Sequence, residues 1–380
     1  MRLGRRELLM GSAALLLAAC APRVPALRAG PSRDVDEWAT APDPGYDAWV
    51  LSFLPRARNA GIPEPTLQAA FAEAGFIPAV IEKDRSQAEF SRSLQDYLLS
   101  GVSDSRVENG RAAMARHAQT LAAVEATYGV DKEAVAAIWG MESSYGVRKG
   151  DVPIVSALST LAYEGRRAQF FETQLVSALR ILAAGDTTPR AMKGSWAGAM
   201  GHTQFIPTSF ESLAVDFTGD GRRDIWGEDP SDALASTANY LAKSGWRRGE
   251  PWGELAQGAS GGGSGGRVIQ PDGAPAFRVY RNFDVIKRYN NADSYAIAVG
   301  HLSDRLRGGP PLAGLFSSER PLTLPERIEL QEGLTALGFD TRGTDGNVGP
   351  GTIQAIRAFQ ASRGLPQTGF AEPSVLQALR

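Results

Sequence analysis

Residues Asp131 to Gly150 read DKEAVAAIWGMESSYGVRKG, and the interpretation of the whole chain starts from this stretch. Its first half predicts a buried helix, because Val135, Ile138 and Trp139 are spread around nearly every side and strong helix formers fill most other positions. One carboxylate, Glu142, follows, and the polar run after it ends in a glycine, which is typical of a helix terminus. The sequence therefore predicts a carboxyl group where a buried helix ends.

A carboxyl group in apolar surroundings has its ionised form disfavoured by desolvation, so we expect a raised pKa for Glu142. Enzymes use such a group as a general acid near neutral pH. The alternative is a solvated glutamate at a helix end that pairs with Arg148 or Lys149. This stretch alone leaves both interpretations open.

Composition narrows the classes of function. The chain has 380 residues, of which 43% are hydrophobic and 22% charged, as in ordinary globular proteins of two or three domains. A net charge of -2 gives no indication of a nucleic-acid partner. One cysteine and three histidines supply too few ligands for a catalytic zinc, and a single cysteine excludes a disulfide within the chain.

Residues 1–20 have the pattern of an export signal. Arg5 and Arg6 precede an apolar run from Leu8 to Ala19, which is too short to span a membrane, and Cys20 follows it. The end of this segment resembles a bacterial lipobox, which implies lipidation of Cys20 and a periplasmic protein anchored to the outer membrane. The alternative is a soluble secreted protein cleaved near Ala19. Residues 21–40 lack periodicity and predict a tether.

Most of the remaining chain has helical periodicity. Residues 268–284 have short β character, and the glycine-rich residues 258–266 predict a linker. The linker also matches G-x-S-x-G around Ser264, but it lacks the flanking strand and helix that a nucleophilic serine needs. Helices before the domain boundary are predicted over residues 46–60, 63–75, 107–128, 172–184, 232–244 and 289–306.

The last part of the chain predicts a separate small helical unit. Residues 307–325 are rich in Gly, Pro and Ser and form the clearest domain boundary. Helices are predicted over residues 326–337, over residues 352–362 and from residue 372, with a turn-rich DGNVGPG loop between the first two. This pattern favours a binding module, and the alternative is a structural appendage.

Two polar segments between the helices are candidate ligand sites. Met192 to Phe210, MKGSWAGAMGHTQFIPTSF, is dense in small residues that let the backbone approach a ligand, and Ser195 and Gln204 can bind sugar hydroxyls and amides. Tight loop packing would explain the glycines and alanines equally well.

The second segment, Asp216 to Asp224, matches the first half of an EF-hand loop. It has oxygen ligands at positions 1, 3 and 5 and a glycine at position 6. Position 12 is Gly227, so the closing glutamate is missing, and Asp232 in a longer loop would replace it. This pattern favours a structural Ca²⁺ or Na⁺ site over a metal-free Asp-Gly turn. The predicted ligands are Asp216, Thr218, Asp220, the backbone carbonyl of Arg222, and Asp232.

Six motifs together resemble the family of membrane-bound lytic murein transglycosylase B. The tail, with GPGTIQAIRAFQ, resembles the peptidoglycan-binding domain that is often fused to this family. In chain order the motifs are Glu142-Ser-Ser-Tyr-Gly, Gly194-Ser-Trp-Ala-Gly-Ala-Met-Gly, Gln204-Phe-Ile-Pro, the Asp216 loop, Asn239-Tyr240 and Arg288-Tyr289-Asn290.

The resemblance implies a mainly α protein with a lysozyme-like catalytic region at residues 41–310, a small β-containing insertion, and a three-helix binding domain at residues 322–380. It implies cleavage of the β-1,4 bond from N-acetylmuramic acid (MurNAc) to N-acetylglucosamine (GlcNAc) in peptidoglycan without water, giving 1,6-anhydromuramic ends. Glu142 would act alone, first as general acid and then as base, and the chemistry requires no cofactor. By matched position, the residues that line the glycan subsites would be Ser195, Gln204, Tyr240, Tyr289 and Tyr295.

The expected partners are glycan strands and, through the lipid, the membrane; other cell-wall enzymes are a further candidate class. Two alternative functions stay open at this point. A hydrolytic muramidase on a similar fold would give reducing ends, and a non-catalytic wall-binding lipoprotein would give no soluble products.

Overall fold

A computed structural model of the chain describes residues 37–86, 94–256, 266–271, 275–312, 317 and 319–380. The predicted signal with Cys20, residues 21–36 of the predicted tether, and Ser264 lie outside the described residues. In chain order the helices are α1 (Pro44–Asn59), α2 (Glu64–Phe71), α3 (Pro78–Ser86), α4 (Leu94–Gly101), α5 (Asp104–Arg116), α6 (Ala118–Tyr128), α7 (Lys132–Ser143), α8 (Ile154–Glu164), α9 (Ala168–Ala184), α10 (Pro207–Leu213), α11 (Ser231–Lys243), α12 (Arg281–Tyr289), α13 (Asp293–Leu306), α14 (Leu324–Ala336), α15 (Pro350–Ser362) and α16 (Pro373–Leu379).

The strands are few and short. Val152–Pro153 (β1) pairs antiparallel with Lys193–Gly194 (β2). Gly253–Leu255 (β3), Arg267–Ile269 (β4) and Phe277–Val279 (β5) form an antiparallel sheet in the order β3-β5-β4. The predicted mainly α organisation with a small β-containing insertion is confirmed.

Two hydrophobic cores meet along α11. One core contains buried residues of α4 to α7, α11, α12 and α13, and the other contains buried residues of α1 to α3, α8, α9 and α10. Leu234 of α11 belongs to the first core, its neighbour Ala233 belongs to the second, and Tyr289 packs against both. A site at this junction is positioned by both halves of the molecule.

α7 is the central element of the first core, as its apolar composition predicts. Val135, Ile138 and Trp139 are at most 2% exposed, and burial of each such side chain contributes about 1.5–3 kcal/mol to the stability of the fold. The helix packs against α13, α11 and α5. Its last residue is Ser143, so the predicted helix end directly after Glu142 is confirmed.

One predicted helix is divided in the structure. The single helix expected over residues 107–128 is wrong, because it breaks at His117, whose φ of -111° and ψ of 28° leave the helical region. The break lets α5 pack on α7 and α13 while α6 packs on α11. The helix expected over residues 289–306 is confirmed as α13, which begins four residues later than expected because Asn290 is extended. Helix α12 occupies residues 281–284, which were assigned to the β region.

The C-terminal unit has the three predicted helices. α14 begins with a capping box in which Thr323 and Glu326 bond each other's backbone amides. Leu330, Leu334, Ile356 and Phe359 are fully buried in a small core shared by α14, α15 and α16. We refer to residues 322–380 as the C-terminal module.

Candidate active site

The candidate catalytic carboxylate lies at the end of α7, where the backbone turns sharply. Ser144, Tyr145 and Gly146 all have left-handed backbones, with φ of 52°, 61° and 87°. Such a conformation is unfavourable for residues other than glycine and persists only where the surroundings enforce it. The amides of Ser144 and Tyr145 donate to the carbonyls of Gly140 and Trp139, which are the bonds that close the helix.

Tyr145 is the side chain that enforces this turn. Its ring lies against two glycines: a Cβ atom at Gly110 would be 2.3 Å from the Tyr145 hydroxyl, and one at Gly140 would be 2.5 Å from its Cζ. The hydroxyl donates to the carbonyl of Arg106 at 3.1 Å. Only glycine leaves room for the ring at either position, so Gly110 on α5 and Gly140 on α7 fix the direction of the chain after Glu142.

Ser143 connects the same turn to the loop that contains the second sequence motif. Its Oγ donates to the carbonyl of His202 at 2.5 Å and accepts from the amide of Gly146 at 2.9 Å. The ring of His202 accepts at Nδ1 from Trp139 Nε1 and donates from Nε2 to the carbonyl of Gly227, over 3.2 and 2.7 Å. Burial lowers the pKa of His202, which keeps this ring neutral.

Glu142 itself is desolvated and has one strong hydrogen bond. Burial raises its pKa from 4.5 to about 7, and the Tyr295 hydroxyl opposes this by donating to Oε1 at 2.5 Å. Tyr295 lies on α13 and is 3% exposed. No ion pair joins Glu142 to Arg148 or Lys149 in the described part of the chain, and Lys149 instead donates to the carbonyls of Trp226 and Gly227. The solvated alternative for Glu142 is therefore not what the structure shows.

Tyr289 and Tyr240 form an aromatic pair beside this carboxyl group. Their ring centroids are 4.8 Å apart, and the Glu142 carboxylate is close enough to Tyr289 to raise the pKa of the phenol further, after the larger effect of burial. The Tyr289 hydroxyl donates to the carbonyl of Thr203, and the Tyr240 hydroxyl donates to the carbonyl of Arg288. Since both hydroxyls are bonded to the backbone, the rings are held in fixed orientations.

Ser195 and Gln204 lie on one folded loop that reaches the chain segment after Glu142. β1 pairs with β2 directly before Ser195, and a Cβ atom at Gly150 would be 2.2 Å from the carbonyl oxygen of Gly194. The Gln204 amide donates to the carbonyls of Lys149 and Gly201, both at 2.9 Å, and its backbone is left-handed with φ of 54°. Phe205, next to Gln204, contacts the rings of both Tyr240 and Tyr289, so this loop reaches the tyrosines beside Glu142.

The predicted ion-binding residues also come together. One carboxylate oxygen from each of Asp216, Asp220 and Asp232 lies within 4.8 Å of the other two. Asp232 accepts backbone amides at both oxygens, and Asp216 accepts the amides of Gly219 and Gly221. Thr218 Oγ1 donates to Asp216 at 3.3 Å, and the backbone amide of Arg222 donates to Asp220 at 2.9 Å.

The region that contains this site matches a known protein family. The family described as the transglycosylase SLT domain matches residues 45–261 and 255–304, a region that includes α7, the Ser195 loop and the three tyrosines. The chain belongs to the transglycosylase SLT domain family. A second family model, for a peptidoglycan binding domain, matches residues 323–379.

Members of the SLT family with known structures share this fold. SltB3 from Pseudomonas aeruginosa, solved in complex with NAG-anhNAM-pentapeptide, is 44% identical; the match covers 89% of this chain and 100% of that one, with a TM-score of 0.68. The Escherichia coli lytic transglycosylase Slt35, solved in complex with calcium, is 27% identical over 72% of this chain and 97% of that one, with a TM-score of 0.59. The predicted lysozyme-like transglycosylase fold is confirmed.

A curated relative agrees with these structures. Membrane-bound lytic murein transglycosylase B of Escherichia coli K12 is 31% identical, and the match covers 53% of this chain. The chain covers 64% of the length of that relative.

Several residues that build the site have no clear signal in the sequence. Ser143 lies inside the Glu142 motif and His202 lies between the second and third motifs, but their polar side chains could equally have faced the ligand. Arg106 lies far upstream of the motif, yet it also donates from its guanidinium to the carbonyl of Gly140 near the end of α7. The glycine at position 110 is the only local indication that another chain segment approaches α5 closely.

Proposed function

We propose that this protein is a lytic transglycosylase that cleaves the β-1,4 bond between MurNAc and GlcNAc in peptidoglycan and releases 1,6-anhydromuramic ends. The observation that carries the proposal is the Glu142 carboxyl group, with a pKa of about 7 and Tyr295 as its hydrogen-bond donor. A group with this pKa is available in both protonation states near neutral pH, which suits an acid that must next act as a base.

In this proposal Glu142 donates its proton to the glycosidic oxygen as the bond from that oxygen to C1 of MurNAc breaks. The resulting carboxylate then accepts the proton of the MurNAc C6 hydroxyl, whose oxygen forms a new bond to C1. Glu142 ends in its starting protonation state, and no water is consumed. Tyr295 stabilises the carboxylate between the two steps, since its hydroxyl donates to the ionised oxygen.

A single carboxyl group distinguishes this reaction from ordinary glycoside hydrolysis. Hydrolases place a second carboxyl group about 5–9.5 Å from the acid. In the described part of the chain, burial and Tyr295 are what shift the pKa of Glu142, and no second carboxylate contributes. We propose that Ser195, Gln204, Tyr240, Tyr289 and Tyr295 line the glycan subsites, with the partly exposed rings of Tyr240 and Tyr289 against apolar sugar faces and the buried Tyr295 acting through its hydroxyl on Glu142.

Mass spectrometry of the soluble products from purified sacculi tests this function. Anhydro products are about 18 Da lighter than hydrolysed ones, because no water is added across the bond. Glu142→Gln should lower the rate by about 10²–10⁴-fold or more, while Glu73→Gln, which removes an exposed carboxylate, should not. Products with free reducing ends would show a hydrolase, and the absence of products from the wild-type protein would show a wall-binding protein.

We also propose a structural Ca²⁺ or Na⁺ at the loop of Asp216, Asp220 and Asp232, with oxygen atoms of Thr218 and Arg222 as further ligands. Carboxylate and carbonyl oxygens are what these hard cations prefer. Burial raises the pKa of Asp232, and a bound cation would favour its ionised form. The carboxylates keep acceptor capacity beyond the amides that they already bind, since each oxygen has two lone pairs.

Melting temperature measured with calcium and with a chelator tests the ion site. Calcium at 100 times its dissociation constant should stabilise the fold by about 2.7 kcal/mol. Asp220→Ala should remove this calcium dependence, because it deletes one of the three carboxylate ligands. The fold itself should change little, since Asp220 is exposed and accepts a hydrogen bond from the Arg222 amide. Equal melting curves with and without calcium for the wild-type protein would contradict the ion site.

We propose, from the sequence of residues 1–20, that Cys20 carries a lipid that holds the protein at the outer membrane on the periplasmic side. The described helices are each too short or too polar to cross a membrane. Cys20→Ala should move the protein from the membrane fraction to the soluble periplasmic fraction. An unchanged distribution would contradict the lipid anchor.

A further inference from the structure

A groove of about 730 Å³ lies between the end of α7 and the C-terminal module. One wall comes from α5 and from the chain directly after Glu142, including Ser144 and Tyr145. The other wall comes from the turn-rich loop of the C-terminal module, residues 341–352. The groove therefore lies between the chain segment that directly follows Glu142 and the module.

Two ion pairs join the C-terminal module to α5 and α4, and in one of them the arginine is buried. Arg327, whose side chain is 4% exposed, donates to Glu108 of α5 at 2.9 Å. Arg357 of α15 lies 2.6 Å from Asp96 of α4. Because Arg327 also donates to the carbonyl of Gly346 at 2.8 Å, one side chain fixes both the docking of the module and its loop.

The loop in the groove is itself rigidly built. Gln331 accepts the amide of Gly346 at 2.7 Å and donates to the carbonyl of Asn347 at 3.0 Å. Asn347 in turn donates to Asp345 from its backbone and its side chain. These bonds leave the groove wall pre-organised, which lowers the entropy cost of binding a ligand there.

The groove is strongly positive. Arg106, Arg116, Arg148 and Arg342 line it, against one lining carboxylate, that of Asp345. After the larger effect of burial, Arg148 contributes to lowering the pKa of Arg106, which shows that the two positive charges act on each other. Like charges placed together in this way cost stability unless an anion binds between them.

In the described part of the chain, the guanidinium groups that line the groove have N–H donors without a protein acceptor, unlike Arg327 and Arg357 of the module. Within the described residues, no hydrogen bond or ion pair joins the guanidinium of Arg116, Arg148 or Arg342 to a protein acceptor, and Arg106 Nε is buried without a partner. Arg327 and Arg357, in contrast, each pair with a carboxylate. The planar donor set of arginine matches a carboxylate in bidentate geometry.

We propose that this groove binds the carboxylates of the peptide stems carried by MurNAc, so that the protein prefers peptide-bearing glycan over denuded glycan. The inference rests on the proposed function, because the stem must belong to the strand held at Glu142. Ser144 and Tyr145 follow Glu142 by two and three residues, a chain distance of at most about 11 Å. An extended peptide of five residues spans up to about 17 Å, which is long enough to enter the groove.

The composition of the lining agrees with an acidic peptide. The four arginines supply anion donors, while the exposed side chain of Asn109 supplies a neutral group for peptide amides. A glycan whose stems an amidase has removed keeps one lactyl carboxylate on each MurNAc, but this group stays at the sugar and cannot extend into the groove as a stem does. An acidic stem gives the groove a ligand of complementary charge.

The test compares full-length wild-type protein with Arg148→Gln/Arg342→Gln on two substrates, intact sacculi and sacculi whose stems an amidase has removed. We expect the double variant to lose about tenfold in kcat/KM on stem-bearing sacculi, which is about 1.4 kcal/mol, and less than twofold on denuded glycan. Lys243→Gln/Arg363→Gln removes two exposed positive charges outside the groove and should change neither rate.

A binding measurement separates this inference from the proposed activity. In a Glu142→Gln background, co-sedimentation with stem-bearing sacculi should weaken about tenfold when Arg148 and Arg342 are both replaced. Equal losses on both substrates, or a loss below twofold on stem-bearing sacculi, would overturn the groove assignment. If the wild-type protein cleaves neither substrate, the proposed function fails, and the co-sedimentation result alone decides whether the groove binds stems.

Discussion

Replacing Glu142 by glutamine should stabilise the protein, and by an amount that depends on pH. Burial raises the pKa of Glu142 from 4.5 to about 7, so the folded state holds this proton more tightly than the unfolded state. Stability therefore falls as the pH rises from about 4.5 to 7, because in this range the unfolded chain has lost a proton that the folded chain still holds. Glutamine has no proton to lose and escapes this penalty.

The difference in pKa sets the size of the effect. A gap of about 2.5 pH units corresponds to about 3 kcal/mol, since one pKa unit is about 1.4 kcal/mol. At pH 4 both proteins carry a neutral side chain at position 142, and their difference reflects only the change from acid to amide. Above pH 8, Glu142→Gln should gain about 3 kcal/mol relative to that baseline.

Urea unfolding of both proteins from pH 4 to pH 8.5 measures this difference directly. Other titrating groups are common to both proteins and cancel from the comparison. Glu73→Gln, at an exposed position, controls for the loss of one negative charge. A difference between wild type and Glu142→Gln that stays constant within about 1 kcal/mol over this range would refute the reasoning that Glu142 is kept protonated by burial.

Three further changes test the surroundings of the carboxyl group. Tyr295→Phe removes the hydroxyl that donates to Glu142, so the alkaline limit of activity should move up by about one pH unit; a pH-rate profile with an unmoved limit would contradict this. Gly110→Ala places a methyl group 2.3 Å from the Tyr145 hydroxyl and should lower the free energy of unfolding by about 1–3 kcal/mol. Urea unfolding measures this loss, and an unchanged midpoint would contradict it. Ser143→Ala leaves the His202 carbonyl and the Gly146 amide without their hydrogen-bond partner. The melting temperature should fall by the equivalent of about 1–3 kcal/mol. A wild-type melting temperature would show that water replaces the hydroxyl.

The position of Glu142 could be predicted because its causes are local. The apolar spacing of α7 predicts burial, and the polar run that ends in Gly146 predicts the helix end. Its hydrogen-bond donor could not be found in that way, since Tyr295 is 153 residues further along the chain. Periodicity assigned Tyr295 to one side of a helix, and only the resemblance to a family assigned it to the site.

The break at His117 was missed for a different physical reason. The position holds neither proline nor glycine, and the residues on both sides favour helix, so local propensity predicts continuity. In the structure both helices contact α7, but α5 also packs on α13 and α6 on α11, and the break lets both apolar faces be buried. Tertiary packing overrides propensity in such cases because one buried side chain contributes more than the cost of a few non-helical residues.

The groove beside the C-terminal module is the feature that sequence patterns could predict least. The tail predicts a binding module from its own helices and loop, but the ligand chemistry inferred for the groove depends on a docking partner. Arg106 and Arg148 become part of one positive surface with Arg342 only because the ion pairs of Glu108 and Asp96 bring the module against α5 and α4. Since those two pairs join residues more than 200 positions apart in the chain, no local pattern could have indicated that the surface exists.

Stem binding in the groove would act on the position of the strand and not on the acid itself. Burial and the Tyr295 hydroxyl are what shift the pKa of Glu142, and no arginine of the described residues contributes to that shift. An anionic stem that neutralises the groove arginines would therefore leave the protonated fraction of Glu142 nearly unchanged. Its effect on the rate would come from holding the glycan strand beside the carboxyl group, which lowers the barrier by orienting the reacting atoms.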